Sequence, residues 1–228
     1  MIFTWTIAGP DGATIDELLV AFDRGRARRV LVCPAWFDEA NKLRRFTVEV
    51  MRRLDAVGID SFLPDLPGCN DSLAPLGGQT LATWQAGMQA AATTFAATHV
   101  LGLRAGALVA PTTLPGWHYA AQSGPKLLRG MIRARTIAAR EAGREEKTDA
   151  LMALGRTEGL TLGGWSLGAA MIRDLETAEP ALAKRQCDIA QAALGGPGLW
   201  LRAEPGEDRA QAYALAALIA NDLTGESE

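Results

Sequence analysis

Histidine is scarce in this chain. Its 228 residues hold two, His99 and His118, and nothing after Tyr119 supplies an imidazole, so few positions offer a base that works near neutral pH. Cysteine is nearly as sparse. Cys33, Cys69 and Cys187 are far apart, odd in number and without a CxxC pair, which gives no metal-site signal and suits a reducing compartment. No apolar run approaches the roughly 18 residues of a spanning helix, so no transmembrane segment is expected. The opening MIFTWTIAGPDG has neither a basic region nor a long apolar core, so a secretory signal is not expected and the cytoplasm is the expected location. Neither sign of charge dominates: a formal net charge of −3 argues against a surface built for nucleic acid. No cofactor is expected.

What the chain does have is core. It is 48% apolar and 21% charged, the balance of a compact domain, and its length fits one domain over residues 1–228. Residues 2–8 alternate as a strand, and Gly9, Pro10, Asp11 and Gly12 read as a turn. Residues 15–22 carry Leu18, Leu19 and Phe22 at helical spacing. Residues 30–33 form a continuous apolar strand stopped by Pro34. Residues 41–56 make an amphipathic helix, 59–63 a second strand, 80–97 an alanine-rich helix and 100–103 a third strand. This β-α alternation predicts an α/β fold, a mostly parallel sheet with helices on both faces. Residues 117–120 extend it, 126–146 read as one long helix with a basic side, 158–162 as a short strand and 167–178 as a helix. Residues 189–194 and 199–202 are the expected last strands. Four residues join them, too few for a parallel crossover, so a hairpin is expected there. Residues 210–222 close the chain as a helix.

The organising stretch is residues 99–110, HVLGLRAGALVA. A strand, a tight Gly-x-x-x-Gly turn and small residues give the layout of the nucleophile elbow of α/β-hydrolases, with Gly102 and Gly106 flanking the turn beside Ala105. On this layout the chain is an α/β-hydrolase fold with a small helical cap inserted at about residues 125–180. The seat of the nucleophile, however, is Arg104. A guanidinium stays protonated and cannot attack.

A second match to G-x-S-x-G lies at Gly164-Trp165-Ser166-Leu167-Gly168. It follows the cap and not the third β-α unit, and Ser166 there is as readily the N-cap of the next helix. An α/β-hydrolase also places its histidine after the last strand, and none is available. Lys42 is the most plausible lysine base, and Cys69 lies on a loop that could edge the cleft. An active ester, thioester or amide hydrolase would thus use Ser166 or an unorthodox nucleophile.

Arg104 at the start of a helix would sit near the positive end of its dipole and call for an anion. Asp38, Glu39 and Asp65 follow the carboxyl ends of parallel strands and converge on the crevice where such sheets bind ligands. Two readings follow. Arg104 pairs with one of these acids, or it joins the free N–H groups of the next helix to hold a small carboxylate or phosphate. Ala35, Trp36, Asn41 and Lys42 are expected to line the same cleft. A third reading makes the protein a scaffold that docks through its basic cap helix.

The runs CPAWFDEANKLRR (33–45), PDLPGCNDS (64–72) and GLRAGAL (102–108) resemble the second hydrolase family associated with exosortase A systems. Gln122-Ser123-Gly124 and the turn at Gly164-Trp165 are similar too, so the likeness spans about residues 30–178, and its most specific part is the Glu-x-Asn-Lys-x-x-Arg string. The resemblance implies an α/β-hydrolase fold, an elbow arginine as a family trait, and a bacterial setting of exopolysaccharide synthesis and surface-protein export in which a partner would be found. It also implies that Gly164 to Gly168 is a turn of the cap region. The residues themselves, with Arg104 in the nucleophile's seat and no late histidine, lead to the expectation of a degenerate triad and of binding to an acidic or acyl small molecule or a partner.

Overall fold

The computed structural model describes residues 1–8 and 14–225; the turn expected at residues 9–12 lies outside them. Seven strands form the main sheet: β1 Ile2–Ala8, β2 Thr14–Phe22, β3 Arg29–Cys33, β4 Asp60–Pro64, β5 His99–Leu103, β6 Gly116–Tyr119 and β9 Gln186–Ile189. Their order is β1-β2-β4-β3-β5-β6-β9. The pairs from β4 to β9 are parallel, and β2 is antiparallel to both β1 and β4.

Successive side chains of a strand point to opposite faces, and the core divides accordingly. Val30, Val32, Leu101 and Leu103 face α1 (Asp38–Ala56) and α6 (Arg209–Gly225), meeting Phe46, Val50, Leu215 and Ile219. Leu31, Cys33 and Val100 face α2 (Leu81–Thr94) and the segment between β6 and β9, meeting Trp84, Met88, Leu128 and Met171. That segment contains α3 (Gly124–Glu141), α4 (Thr148–Glu158), the hairpin of β7 (Leu160–Leu162) with β8 (Trp165–Leu167), and α5 (Ala169–Leu175). Among the described residues no helix is long and apolar enough to cross a membrane.

Several local expectations are corrected. Residues 15–22 are strand β2, not a helix: eight residues are too few to hold a helix unaided, and pairing on both sides with β1 and β4 decides the matter. The single helix expected over 126–146 is two, because α3 ends at Glu141 in a turn whose amides return to Arg140 and Ala139 before α4 begins. The C-terminal hairpin does not form. Residues 186–189 pair with β6 as β9, and residues 191–193 and 199–201 are single 3-10 turns. Ser166 lies within β8, and the N-cap of α5 is Gly168. No α-helix follows the elbow; residues 104–108 make one 3-10 turn before the loop to β6, so the helix dipole expected to act on Arg104 is missing.

Candidate functional site

Strand β5 delivers the chain into its turn at Leu103, and Arg104 enters it with φ of 54°, a left-handed conformation that costs a side-chain-bearing residue about 1–3 kcal/mol. Glycine on either side makes the turn possible. A Cβ on Gly106 would stand 2.3 Å from the Cys33 carbonyl oxygen and 2.4 Å from that of Pro34, and one on Gly102 would meet the Ala107 Cα at 2.8 Å. The elbow is therefore pressed against the end of β3. That contact brings Arg104 to the first turn of α1.

There the guanidinium is enclosed. Its Nε donates to Glu39 Oε2 at 2.9 Å and Nη2 to Glu39 Oε1 at 3.1 Å. Nη1 donates to the Ala120 carbonyl at 2.6 Å, and the Trp200 ring lies 4.0 Å from Cζ. The Arg104 side chain is 6% exposed and that of Glu39 17%. A two-point carboxylate fork with an aromatic face above is the arrangement that arginine fits best. Its cation is matched within the protein.

Beside this pair lies a cavity of about 430 Å³ between the β3-α1 loop and α3. Its lining is mainly apolar, from Trp36, Phe37, Leu127, Met131, Leu162 and Trp165, with Asp38, Glu39, Asn41 and Gln122 among them. The aromatic wall is built around Trp84, which meets Trp36 edge-on at 4.8 Å between ring centres, while Phe37 packs at 5.4 Å from Trp165. Phe37 adopts φ of 55° at the N-cap of α1. Among the described residues, two buried atoms of this lining have no hydrogen-bond partner: Trp36 Nε1 and Gln122 Oε1. Buried polar groups are rarely left so.

The residues expected in the cleft separate into two sets. Trp36, Asp38, Glu39 and Asn41 line the cavity. Lys42 reaches Asp38 at 2.7 Å and the Trp200 carbonyl at 3.4 Å. Ala35 is buried in the α1 face of the core. Asp65 is fully buried and accepts from Arg44 and Asn70, at 2.9 and 2.8 Å. Ser166 Oγ, exposed on β8, lies 3.1 Å from the Thr161 hydroxyl. The α3 side of the cavity and Trp200 are not singled out by the sequence pattern.

His118, Cys33 and Cys69 are disarmed by burial. His118 on β6 is fully enclosed with neither ring nitrogen hydrogen-bonded among the described residues, and desolvation lowers its pKa. Burial raises the Cys33 thiol far above the working range and pushes Cys69 up to about 12, so neither is a thiolate.

No family model matches the sequence, and no curated protein does. Solved structures do. Mouse alpha/beta hydrolase domain-containing protein 10 is similar with a TM-score of 0.60 at 10% identity, over 99% of this chain and 100% of its own. A provisionally named hydrolase from Agrobacterium vitis S4 gives 0.56 at 11% identity, over 100% of both chains. DcsB, solved with its substrate analogue, gives 0.54 at 11% identity, over 97% of this chain and 99% of its own. The chain has the α/β-hydrolase fold.

Proposed function

We propose that this is an α/β-hydrolase-fold protein with a degenerate triad, which binds a neutral acyl-chain molecule beneath its cap and does not cleave it. The observation that carries the reading is the Arg104–Glu39 fork in the nucleophile's seat. It removes the attacking atom and also satisfies the cation that would attract a carboxylate or phosphate. What remains next to it is an apolar cavity, two of whose lining residues, Trp36 and Gln122, each bury one polar atom without a hydrogen-bond partner among the described residues. Its size falls in the range of small-molecule sites, which are apolar with a few fixed polar groups. An acyl chain suits the apolar lining, and a neutral amide or hydroxyl end suits a site whose acids, Asp38 and Glu39, are already paired with Lys42 and Arg104, so that no free cation is left for a carboxylate. The likeness of residues 33–45 to the exosortase-associated family supports a bacterial, cytoplasmic role in exopolysaccharide or surface-protein export.

The competing reading, an active hydrolase at Ser166, has an exposed hydroxyl whose side-chain neighbour is Thr161; a base within reach is what that chemistry requires. The test is a thermal-shift and tryptophan-fluorescence titration with octanamide, octanol and octanoate. The neutral compounds raise the melting temperature, as ligand linkage requires, and octanoate does so less. Ala134→Trp, a substitution at an exposed wall residue of the cavity, abolishes the shift given by octanamide and octanol. Covalent labelling by a fluorophosphonate that disappears in Ser166→Ala would overturn the proposal in favour of the hydrolase.

A further inference from the structure

Helix α3 has a second groove on its other side. Leu127, Gly130, Met131 and Ala134 face the cavity described above, while Pro125, Leu128, Arg129, Ile132, Arg133 and Thr136 face a separate one of about 340 Å³, closed by Thr148 and Met152 of α4 and by Glu176. The floor is apolar, with Leu128 and Ile132 both buried. The rim carries two exposed arginines, Arg129 and Arg133, set one helical turn apart.

These two differ from most arginines of the fold. Arg24, Arg26, Arg29, Arg44, Arg45, Arg52, Arg53, Arg135 and Arg156 each hold a carboxylate within ion-pair distance. Among the described residues, Arg129 and Arg133 have no such partner. The acid on the rim, Glu176, is taken: Arg156 donates to it at 2.6, 2.9 and 3.1 Å. Like charges at i and i+4 on one helix repel each other, and an anion between them removes the repulsion.

We infer that this groove binds a single-chain anionic amphiphile, its carboxylate or phosphate head bridging Arg129 and Arg133 and its chain lying on Leu128, Ile132 and Met152. Charge complementarity selects the head, and the apolar floor selects the tail. Neither feature alone would distinguish the groove from an ordinary solvated face. The inference does not depend on the ligand proposed for the cavity across α3.

Calorimetric titration tests it, using decanoate and decyl phosphate below their micelle-forming concentrations against decanol and decyltrimethylammonium. The anions bind, and in Ala134→Trp, whose other cavity is filled, the neutral and cationic chains bind at least tenfold more weakly. Arg129→Gln and Arg133→Gln each weaken decanoate about tenfold at low salt, the scale of one charge-assisted contact, and the double substitution removes binding. Ala134→Trp, which closes only the other cavity, leaves it unchanged. Equal decanoate affinity in the double variant, or loss of binding in Ala134→Trp, would overturn the assignment. So would sedimentation with phosphatidylglycerol vesicles without binding of monomeric decanoate, which would make this face a membrane-docking surface instead.

Discussion

Arg104 and Glu39 grip each other through two N–H···O bonds, of 2.9 and 3.1 Å, between the turn after β5 and the first turn of α1. The pair joins residues 65 positions apart, so it is also a strut between elbow and helix. Removing one member leaves a mostly buried charge without its partner, the loss that makes broken buried pairs costly even where intact ones contribute little.

Arg104→Met should therefore destabilise the fold toward the lower end of the roughly 3–5 kcal/mol seen when buried pairs are broken, because Glu39 keeps some contact with solvent. Glu39→Met should cost a similar amount. The double substitution should cost clearly less than the sum of the two, with a coupling of about 1 kcal/mol or more. Urea denaturation of the four proteins measures it. Additive losses would mean that the fork holds nothing together.

The elbow itself can be tested without touching charge. Gly106→Ala forces a methyl group to within 2.4 Å of two backbone oxygens at the end of β3, and neither oxygen can move without shifting the strand. Overpacking of this kind typically costs 1–3 kcal/mol, and rigid backbone on the opposing side puts the expected loss at about 3. A fall in urea midpoint at unchanged slope checks this. A variant as stable as the parent would show that β3 and the elbow are not tightly joined.

The central sheet was legible because its strands are buried on both faces and read as unbroken apolar runs, as in Val30-Leu31-Val32-Cys33, with Pro34 marking the end. The elbow was legible because Gly102 and Gly106 announce a backbone approach that admits no side chain. What misled was short-range periodicity wherever long-range pairing decides. Leu18, Leu19 and Phe22 sit at helical spacing, yet Glu17, Leu19 and Ala21 all turn inward on β2. Residues 199–202 read as a strand, whereas Trp200 is there to cover the Arg104 guanidinium, a contact across 96 positions that no local pattern encodes. The acids near the elbow were recognised as a set. Which of them meets Arg104 depends on the docking of α1, which places Glu39 against the elbow and leaves Asp65 to Arg44.

Glu17 offers a test in pH. It is 1% exposed on β2; Ser72 Oγ donates to Oε1 at 2.7 Å, while Oε2 has no partner among the described residues. Burial raises its pKa above the ordinary glutamate value; the Ser72 bond acts against this, and the neighbouring Asp65 charge adds to it. A carboxyl whose pKa is raised in the folded state favours the protonated form, so its contribution is complete below the unfolded-state value near 4.3 and is lost as pH rises through the folded-state value. Glu17→Gln keeps the shape and an acceptor for Ser72 but cannot ionise. The melting temperature of the variant should therefore exceed that of the parent at pH 7–8, and the difference should shrink toward pH 4, where both side chains are neutral. A difference that grew on acidification would mean that the folded protein prefers the Glu17 carboxylate, reversing the sign of the argument.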